Sequence, residues 1–267
     1  MCRAIQSYGA QVWGYSLFEE VDKLQRFFLK KILKLPSFTP TYALMLETGI
    51  ENNCIYTLDL HLRYIIKTLF DYNDNRLPSK LTKLTIEKKS YWYKHIEKLA
   101  NDVSTIHISE CFSRENWERL RIDILTGLKR KERENNIQQA TRSNRFYSKL
   151  NYKEPQTYFE INNNTTAVSY IFKARCDLIE LNGTRFQTQR SRICSLCNRN
   201  ETENILHFFA SCPILREIRY QYFKRTTITE NDLIYILNNA KQNFKVIYLF
   251  IIDAIGYRKQ LIDEFNY

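Results

Sequence analysis

Four residues toward the C-terminal end have the types and spacing of a metal site. Residues 194–212 read CSLCNRNETENILHFFASC, a Cys-x2-Cys-x9-His-x4-Cys pattern. Thiolates and imidazoles are the ligands of structural zinc, where four of them complete a tetrahedron. The Cys-x2-Cys pair, Cys194 and Cys197, makes a tight turn that aims two sulfurs at one point, and His207 and Cys212 complete the set. Four protein ligands leave no open position for a water, so the pattern predicts one structural zinc ion rather than a catalytic one. No glutamate holds the general-base position of an HExxH helix. Glu201 and Glu203 read instead as first-turn residues that complement a helix dipole. His207 and Cys212 are five apart, and such positions diverge by about 140° on a continuous α-helix. The helix carrying His207 must therefore end before Cys212, and Pro213 fits that break.

The elements that position these residues are expected to be helices. Hydrophobic residues make up 44% of the 267, enough to bury a core in one large domain or two modest ones. With 6 glycines and 5 prolines, turns are too few for a long sheet protein, and the fold class expected is all-α. The seven cysteines are too sparse for a secreted disulfide scaffold. Cys2, Cys54, Cys111 and Cys176 lie far apart and read as small buried side chains in a reducing, intracellular compartment. Residues 1–15 lack the continuous apolar stretch of a signal peptide. The most apolar run, VIYLFIIDAI at 246–255, is too short to span a bilayer, contains Asp253 and reads as a buried helix.

Along the chain, Leu17, Val21, Leu24, Phe28, Ile32 and Leu35 recur at helical spacing and predict one apolar face over 17–35, stopped by Pro36. A short helix follows, with Thr39 as N-cap, Pro40 in the first turn and Gly49 as the stop. A third helix, about 52–71, buries Cys54, Ile55, Leu58, Leu62, Ile65, Ile66 and Leu69. His61 sits beside that stripe with no second ligand near it and reads as a packed or surface histidine. A turn at 73–78 precedes a helix near 87–101 in which Tyr91, Trp92 and Tyr93 serve as core or as base-stacking aromatics. Ser113 caps a long helix to about 140 with Trp117, Leu120, Ile124 and Leu128 on its apolar side. After the polar stretch INNNTT, Thr165 or Thr166 caps a helix that runs to Asn182-Gly183, with Arg175 joining its apolar stripe by its stem. Helices near 213–224, 230–239 and 242–264 complete the chain.

The formal charge is +11, which favours a polyanionic partner, nucleic acid first. Residues 114–153 hold eleven Lys or Arg against five Asp or Glu. Lys129, Arg130, Lys131, Arg133, Arg142, Arg145 and Lys149 in this arm, with Arg185, Arg190 and Arg192 flanking the cysteines, are the candidate phosphate contacts. A solvated helix of alternating charge, followed by solvated loop arginines, accounts for them equally.

Three stretches carry a family resemblance. SYGAQVWGY at 7–15, LQRFFLKKILKLPSFTPTYALMLETG at 24–49 and RICSLCNRNETENILHFFASCP at 192–213 resemble, in order, the segments that end a LINE-type, non-LTR retrotransposon reverse transcriptase. The first is similar to the signature after the polymerase palm, the second to the thumb, and the third to the C-terminal zinc-binding segment. The third is the most specific, and the likeness is weak over 75–160 and after 220. The resemblance implies a thumb-like helical bundle over 1–75, a basic helical connector over 76–160 and a zinc-knuckle helical domain over 161–267. It also implies binding of RNA template or target DNA, contact with the rest of the reverse transcriptase, and a nuclear location, for which KRKER at 129–133 is a weak signal.

The family's polymerase site needs an Asp-Asp pair, and the chain has none. Without clustered carboxylates nothing would hold two metal ions for nucleotidyl transfer. Residues 213–267 lack the Pro-Asp and Asp/Glu-x-Lys core of the nuclease some relatives carry. The expectation is a fragment of such an element that is not an enzyme on its own, with no membrane and no small-molecule substrate. A zinc-stapled helical protein-interaction module is the alternative.

Overall fold

With few glycines or prolines to interrupt the apolar periodicities, the backbone forms helices throughout. The computed structural model describes residues 2–104, 106–161, 164–184 and 191–265, and it is all-α. Among the described residues the one β-type pairing is a bridge between Ile193 and Thr202. The helices are α1 (Cys2–Gln6), α2 (Ala10–Trp13), α3 (Glu19–Ile32), α4 (Thr41–Thr48), α5 (Asn53–Phe70), α6 (Leu77–Glu87), α7 (Tyr91–Val103), α8 (Arg114–Ser143), α9 (Thr165–Arg175), α10 (Arg216–Phe223), α11 (Glu230–Asn238) and α12 (Phe244–Phe265). Among the described residues, no helix is long and apolar enough to cross a membrane.

The chain closes into two compact units, Met1–Phe28 with Ile50–Asn135, and Leu29–Gly49 with Asn136–Tyr267. They cut across three consecutive segments at 1–75, 76–160 and 161–267. Of the three boundaries, two fall inside helices, α3 and α8, and the third follows Gly49; Leu35, Tyr42, Leu44 and Leu46 bury their side chains in the core of the second unit.

The first unit's core is built on Leu58, Leu62, Ile65 and Ile66 of α5, Tyr93 and Ile96 of α7, and Trp117, Leu120 and Ile124 of α8. Tyr93 and Trp92 serve this core while Tyr91 is exposed. Helix α2 lies so close to α5 that a Cβ at Gly14 would come within 2.1 Å of the Thr57 carbonyl. Ser113 does cap α8, its hydroxyl accepting from Asn116 N–H at 3.2 Å.

Helix α3 departs from expectation. Leu24, Phe28 and Ile32 are exposed, and the inward side carries Asp22 and Gln25 instead. The reason is the N-terminus of α5, whose first amides have no partner within their own helix and whose Asn52 supplies no side-chain cap. Asp22 accepts from Cys54 N–H and Gln25 from Asn53 N–H, both at 3.0 Å. Pro36 lies beyond the helix end, which comes at Ile32, and Lys34 takes a left-handed φ of 50°.

The second unit packs Tyr42, Leu44 and Leu46 of α4, Ile171 and Phe172 of α9, Leu233 and Leu237 of α11, and Ile247, Phe250 and Ile251 of α12 around Phe208 and Phe209. Thr39 is not the cap of α4; its buried hydroxyl donates back to Pro36 O, and Pro40 stands just before the first turn. Asn164, rather than Thr165 or Thr166, caps α9 by accepting from Thr166 and Ala167 N–H. That helix stops at Arg175, well short of Asn182, where Asn144 donates to the Cys176 carbonyl and Asp177 turns left-handed at φ 55°.

Arg175 is buried to its tip rather than by its stem alone. Glu47 and Arg175 are both 0% exposed, with Arg175 Nε 2.8 Å from Glu47 Oε2. Tyr147 Oη donates to the same carboxylate at 3.0 Å and Tyr158 Oη at 2.7 Å. The rest of the guanidinium donates to the Leu237 carbonyl and to Asn151. Removing one partner of such a pair costs about 3–5 kcal/mol. Glu47→Gln and Arg175→Met should each destabilise the second unit by that order. The double change to Leu and Met should cost less than the sum, read by urea unfolding followed by circular dichroism. A single change costing under about 1 kcal/mol would contradict this account.

His61 in the first unit is packed, not a ligand. Its Nδ1–H donates to the Gln11 carbonyl at 2.9 Å, while Nε2 is buried without a partner. Burial, opposed by that bond, pushes its pKa from 6.5 down to about 4. The unfolded chain therefore takes up a proton first, and the stability held above pH 6.5 drains as pH falls toward 4, by roughly 3 kcal/mol. Glu132 runs the other way, since burial and then Asp22 push it up to about 7, so protonating it on acidification relieves the fold. Trp13, Trp92 and Trp117 all lie in this unit, so tryptophan fluorescence reports on it alone. His61→Gln should flatten the loss between pH 6.5 and 4, and an unchanged pH slope would refute the assignment.

Candidate metal centre

A hairpin carries the first two cysteines. Ile193 bridges to Thr202, Cys194 N–H donates to Glu201 O, and Glu203 N–H donates to Arg192 O, both at 2.9 Å. Asn200 takes φ 55° at the turn, a region asparagine enters more readily than most residues. The Leu196 amide points at Cys194 Sγ from 3.4 Å. Gly183 passes behind the hairpin, where a Cβ would meet the Glu203 carbonyl at 2.6 Å.

The other two ligands sit at the two ends of a π-helical turn, His207–Ser211. Cys212 N–H donates to the His207 carbonyl at 2.8 Å, a five-residue hydrogen bond. An α-helix would have carried Cys212 away from His207, and the wider turn brings it back before the backbone extends at Cys212. The helix does end before Cys212, but the widened turn aligns the pair.

All four residues are buried, and their ligand atoms lie within 4.8 Å of one another. Cys197 Sγ is 3.4 Å from His207 Nε2. A tetrahedron with zinc-to-sulfur bonds near 2.3 Å and zinc-to-nitrogen bonds near 2.1 Å has edges of about 3.5–3.8 Å. Cys194, Cys197, His207 and Cys212 thus form a Cys3His group that could hold one metal ion.

The two glutamates are not dipole partners of a first turn. Glu201 Oε2 lies 2.8 Å from His207 Nδ1, which fixes the ring and leaves Nε2 facing the sulfurs. A carboxylate on the outer nitrogen of a ligating imidazole is a recurrent feature of metal sites. The cap of this turn is Asn204, which accepts from His207 N–H at 2.8 Å. Glu203 is 1% exposed and takes both Arg258 donors, at 2.8 and 2.7 Å, together with Asn182 N–H at 2.8 Å. Asn182 in turn donates to Ile193 O and Ser195 Oγ. The hairpin is thereby tied to α12.

Electrostatics also fit a cation here. The neighbouring Cys212 thiol, together with burial, pushes Cys194 up to about 12, while the same proximity pulls Cys212 down. For all three thiols to ionise together at neutral pH, positive charge has to sit among them. Arg219 adds a second observation. It is fully buried and donates to the carbonyls of Phe209, Cys212 and Thr226, and no carboxylate pairs with it among the described residues. A divalent ion with three thiolates carries a net negative charge, which would balance this guanidinium.

No family model, curated protein or solved structure matches the chain.

Of the candidate phosphate contacts, Arg185 and Arg190 lie outside the described residues. Lys129, Arg130, Lys131 and Arg133 in the first unit are exposed, as are Arg142, Arg145, Lys149 and Arg192 in the second. Lys129 pairs with Glu51 at 2.8 Å and Lys149 with Glu230 at 2.6 Å. Arg145, Lys149 and Arg192 come together around one cavity. The sequence did not point to Glu201 as a histidine partner, nor to Asn182, Arg219 and Arg258. An acidic residue six positions before a ligating histidine was a usable signal for the first; the others act across longer separations.

The purified chain should carry close to one zinc ion. Cys197→Ser should abolish tight binding. Glu201→Gln should keep the metal but weaken it about 10- to 100-fold in competition with a chromophoric chelator. Stripping the metal should cost helical signal in circular dichroism, and an apo protein with the full signal and the same Tm would show that the ion is not structural.

Proposed function

We propose that this chain is a non-catalytic nucleic-acid-binding segment held by one structural zinc ion, related to the C-terminal part of a LINE-type reverse transcriptase. The observation that carries it is the buried Cys3His group in a chain of net charge +11 that also leaves cations in solvent. Arg130, Lys131, Arg133, Arg142 and Arg145 are exposed, and no carboxylate pairs with them among the described residues. Unpaired exposed guanidinium and ammonium groups are what a phosphate backbone neutralises, releasing counterions. The metal's role is to hold the hairpin and its flanking Arg192 in place. The family assignment rests on the residue resemblances at 7–15, 24–49 and 192–213. On this reading the ligand is RNA, single-stranded or structured, and the site of action is the nucleus.

One observation favours the alternative of a protein-interaction module. Phe18, Leu24, Phe27 and Phe28 are large apolar residues exposed on and beside α3.

Fluorescence anisotropy of the zinc-loaded chain with a labelled single-stranded RNA, across a salt series, separates the two. Nucleic-acid binding should weaken linearly in log–log form, with a slope of about −0.7 per phosphate neutralised. Changing Arg130, Lys131, Arg133 and Arg142 to Ala should reduce that slope by up to about 3. Absence of RNA affinity at low salt, together with a protein partner retained after nuclease treatment, would replace this reading with the interaction module.

A further inference from the structure

The second unit holds a cavity of about 450 Å3 beside the metal hairpin. Its size falls in the range of pockets that bury a small ligand, roughly 300–1,000 Å3. One wall comes from the end of α8 and the turn after it, with Arg145, Phe146 and Lys149. The opposite wall comes from the hairpin and the segment leading into the π-helical turn, with Arg192, Thr202 and Asn204. Three cations from two distant stretches of sequence thus converge on one concave site.

The chemistry of that lining is mixed, which argues against a bare anion hole. Arg145 has no carboxylate partner among the described residues, and Arg192 spends one donor on the Gly183 carbonyl at 3.2 Å. Lys149 is already neutralised by Glu230, another lining residue. Asp177 adds an acceptor. Phe146 presents a half-buried ring. Asn204 accepts from His207 N–H through its Oδ1, so its amide donors are left for the cavity. Two arginines suit a phosphate, an aromatic ring suits a base face, and a carboxylate with an amide suits a base edge.

Resting on the nucleic-acid reading above, we infer that this cavity takes one unpaired nucleotide, its base stacked on Phe146 and its phosphate held by Arg145 and Arg192. The hairpin that supplies Arg192 and the turn that Asn204 caps are the two elements that carry the metal ligands, so metal loading and nucleotide capture are coupled through the same backbone.

The experiment uses the full zinc-loaded chain with three probes: a single-stranded RNA carrying one 2-aminopurine, a fully paired RNA duplex of equal length, and adenosine 5′-monophosphate. The expected result is preference for the single strand and quenching of the 2-aminopurine. Phe146→Leu, which keeps an apolar side chain in the packing, should abolish the quenching and weaken binding about tenfold. The Arg145→Ala/Arg192→Ala double variant should weaken binding at least tenfold more than Lys245→Ala/Lys259→Ala, which removes equal charge from exposed positions on α12. If the two double variants weaken binding equally and Phe146→Leu matches wild type, the cavity inference is overturned while the nucleic-acid reading stands. If no strand binds, that reading has failed. The cavity inference then survives only if the monophosphate binds and Phe146→Leu abolishes it, which marks a free nucleotide as the source, and it falls if the monophosphate also fails to bind.

Discussion

The second unit turns on a buried carboxylate. Glu47 lies on a short helix early in the chain, and its partners Tyr147, Tyr158 and Arg175 come a hundred or more residues later. An ionised pair in an apolar core adds little over a well-packed apolar pair of the same volume. What it does is forbid other arrangements, because any packing that separates the two leaves a charge without solvent or partner. Around it Tyr42, Leu44 and Leu46 share one buried core with α9 and the tyrosines, the Tyr42 ring meets that of Tyr147, and Arg175 reaches on to the Leu237 carbonyl at the end of α11. One side chain thereby connects α4, α9 and α11.

The metal group follows a parallel logic in the same core. Phe208 and Phe209 sit in the π-helical turn between His207 and Cys212 and pack on Phe250 of α12. The turn serves the core and the ligand geometry together. Arg219 closes it from behind, donating to the carbonyls of Phe209 and Cys212. Glu203 and Arg258 hold the hairpin to α12 from the other side. The ligands are thus oriented by groups that are themselves hydrogen-bonded, as a site needs to be if its geometry is to precede its ion.

What was legible in the sequence was local. The four ligands declared themselves because their spacing lies within nineteen residues. Helices α5 and α8 followed from apolar periodicity, α12 from its apolar run at 246–255, and Ser113 from its place before α8. Periodicity misled at α3, where Leu24, Phe28 and Ile32 form a good stripe that the fold leaves in solvent. The uncapped N-terminus of α5 turned Asp22 and Gln25 inward, and that demand belongs to another helix. Arg175 was misjudged for the same reason, since its anion lies 128 residues away. Glu201 and Glu203 carried the right chemistry in the right segment, but their partners His207 and Arg258 could be assigned only in three dimensions.

The discontinuity of the second unit has a consequence for how the protein is made. Residues 29–49 emerge from the ribosome early, yet the core that covers Tyr42, Leu44 and Glu47 is contributed by residues beyond 135. Until Arg175 and the tyrosines are synthesised, α4 is a mostly apolar helix with an uncompensated carboxylate, exposed on a growing chain. Residues 50–135 can meanwhile complete the first unit with what precedes them. Folding can therefore begin with the first unit, and a nascent chain halted before Arg175 presents α4 to chaperones rather than to its own fold.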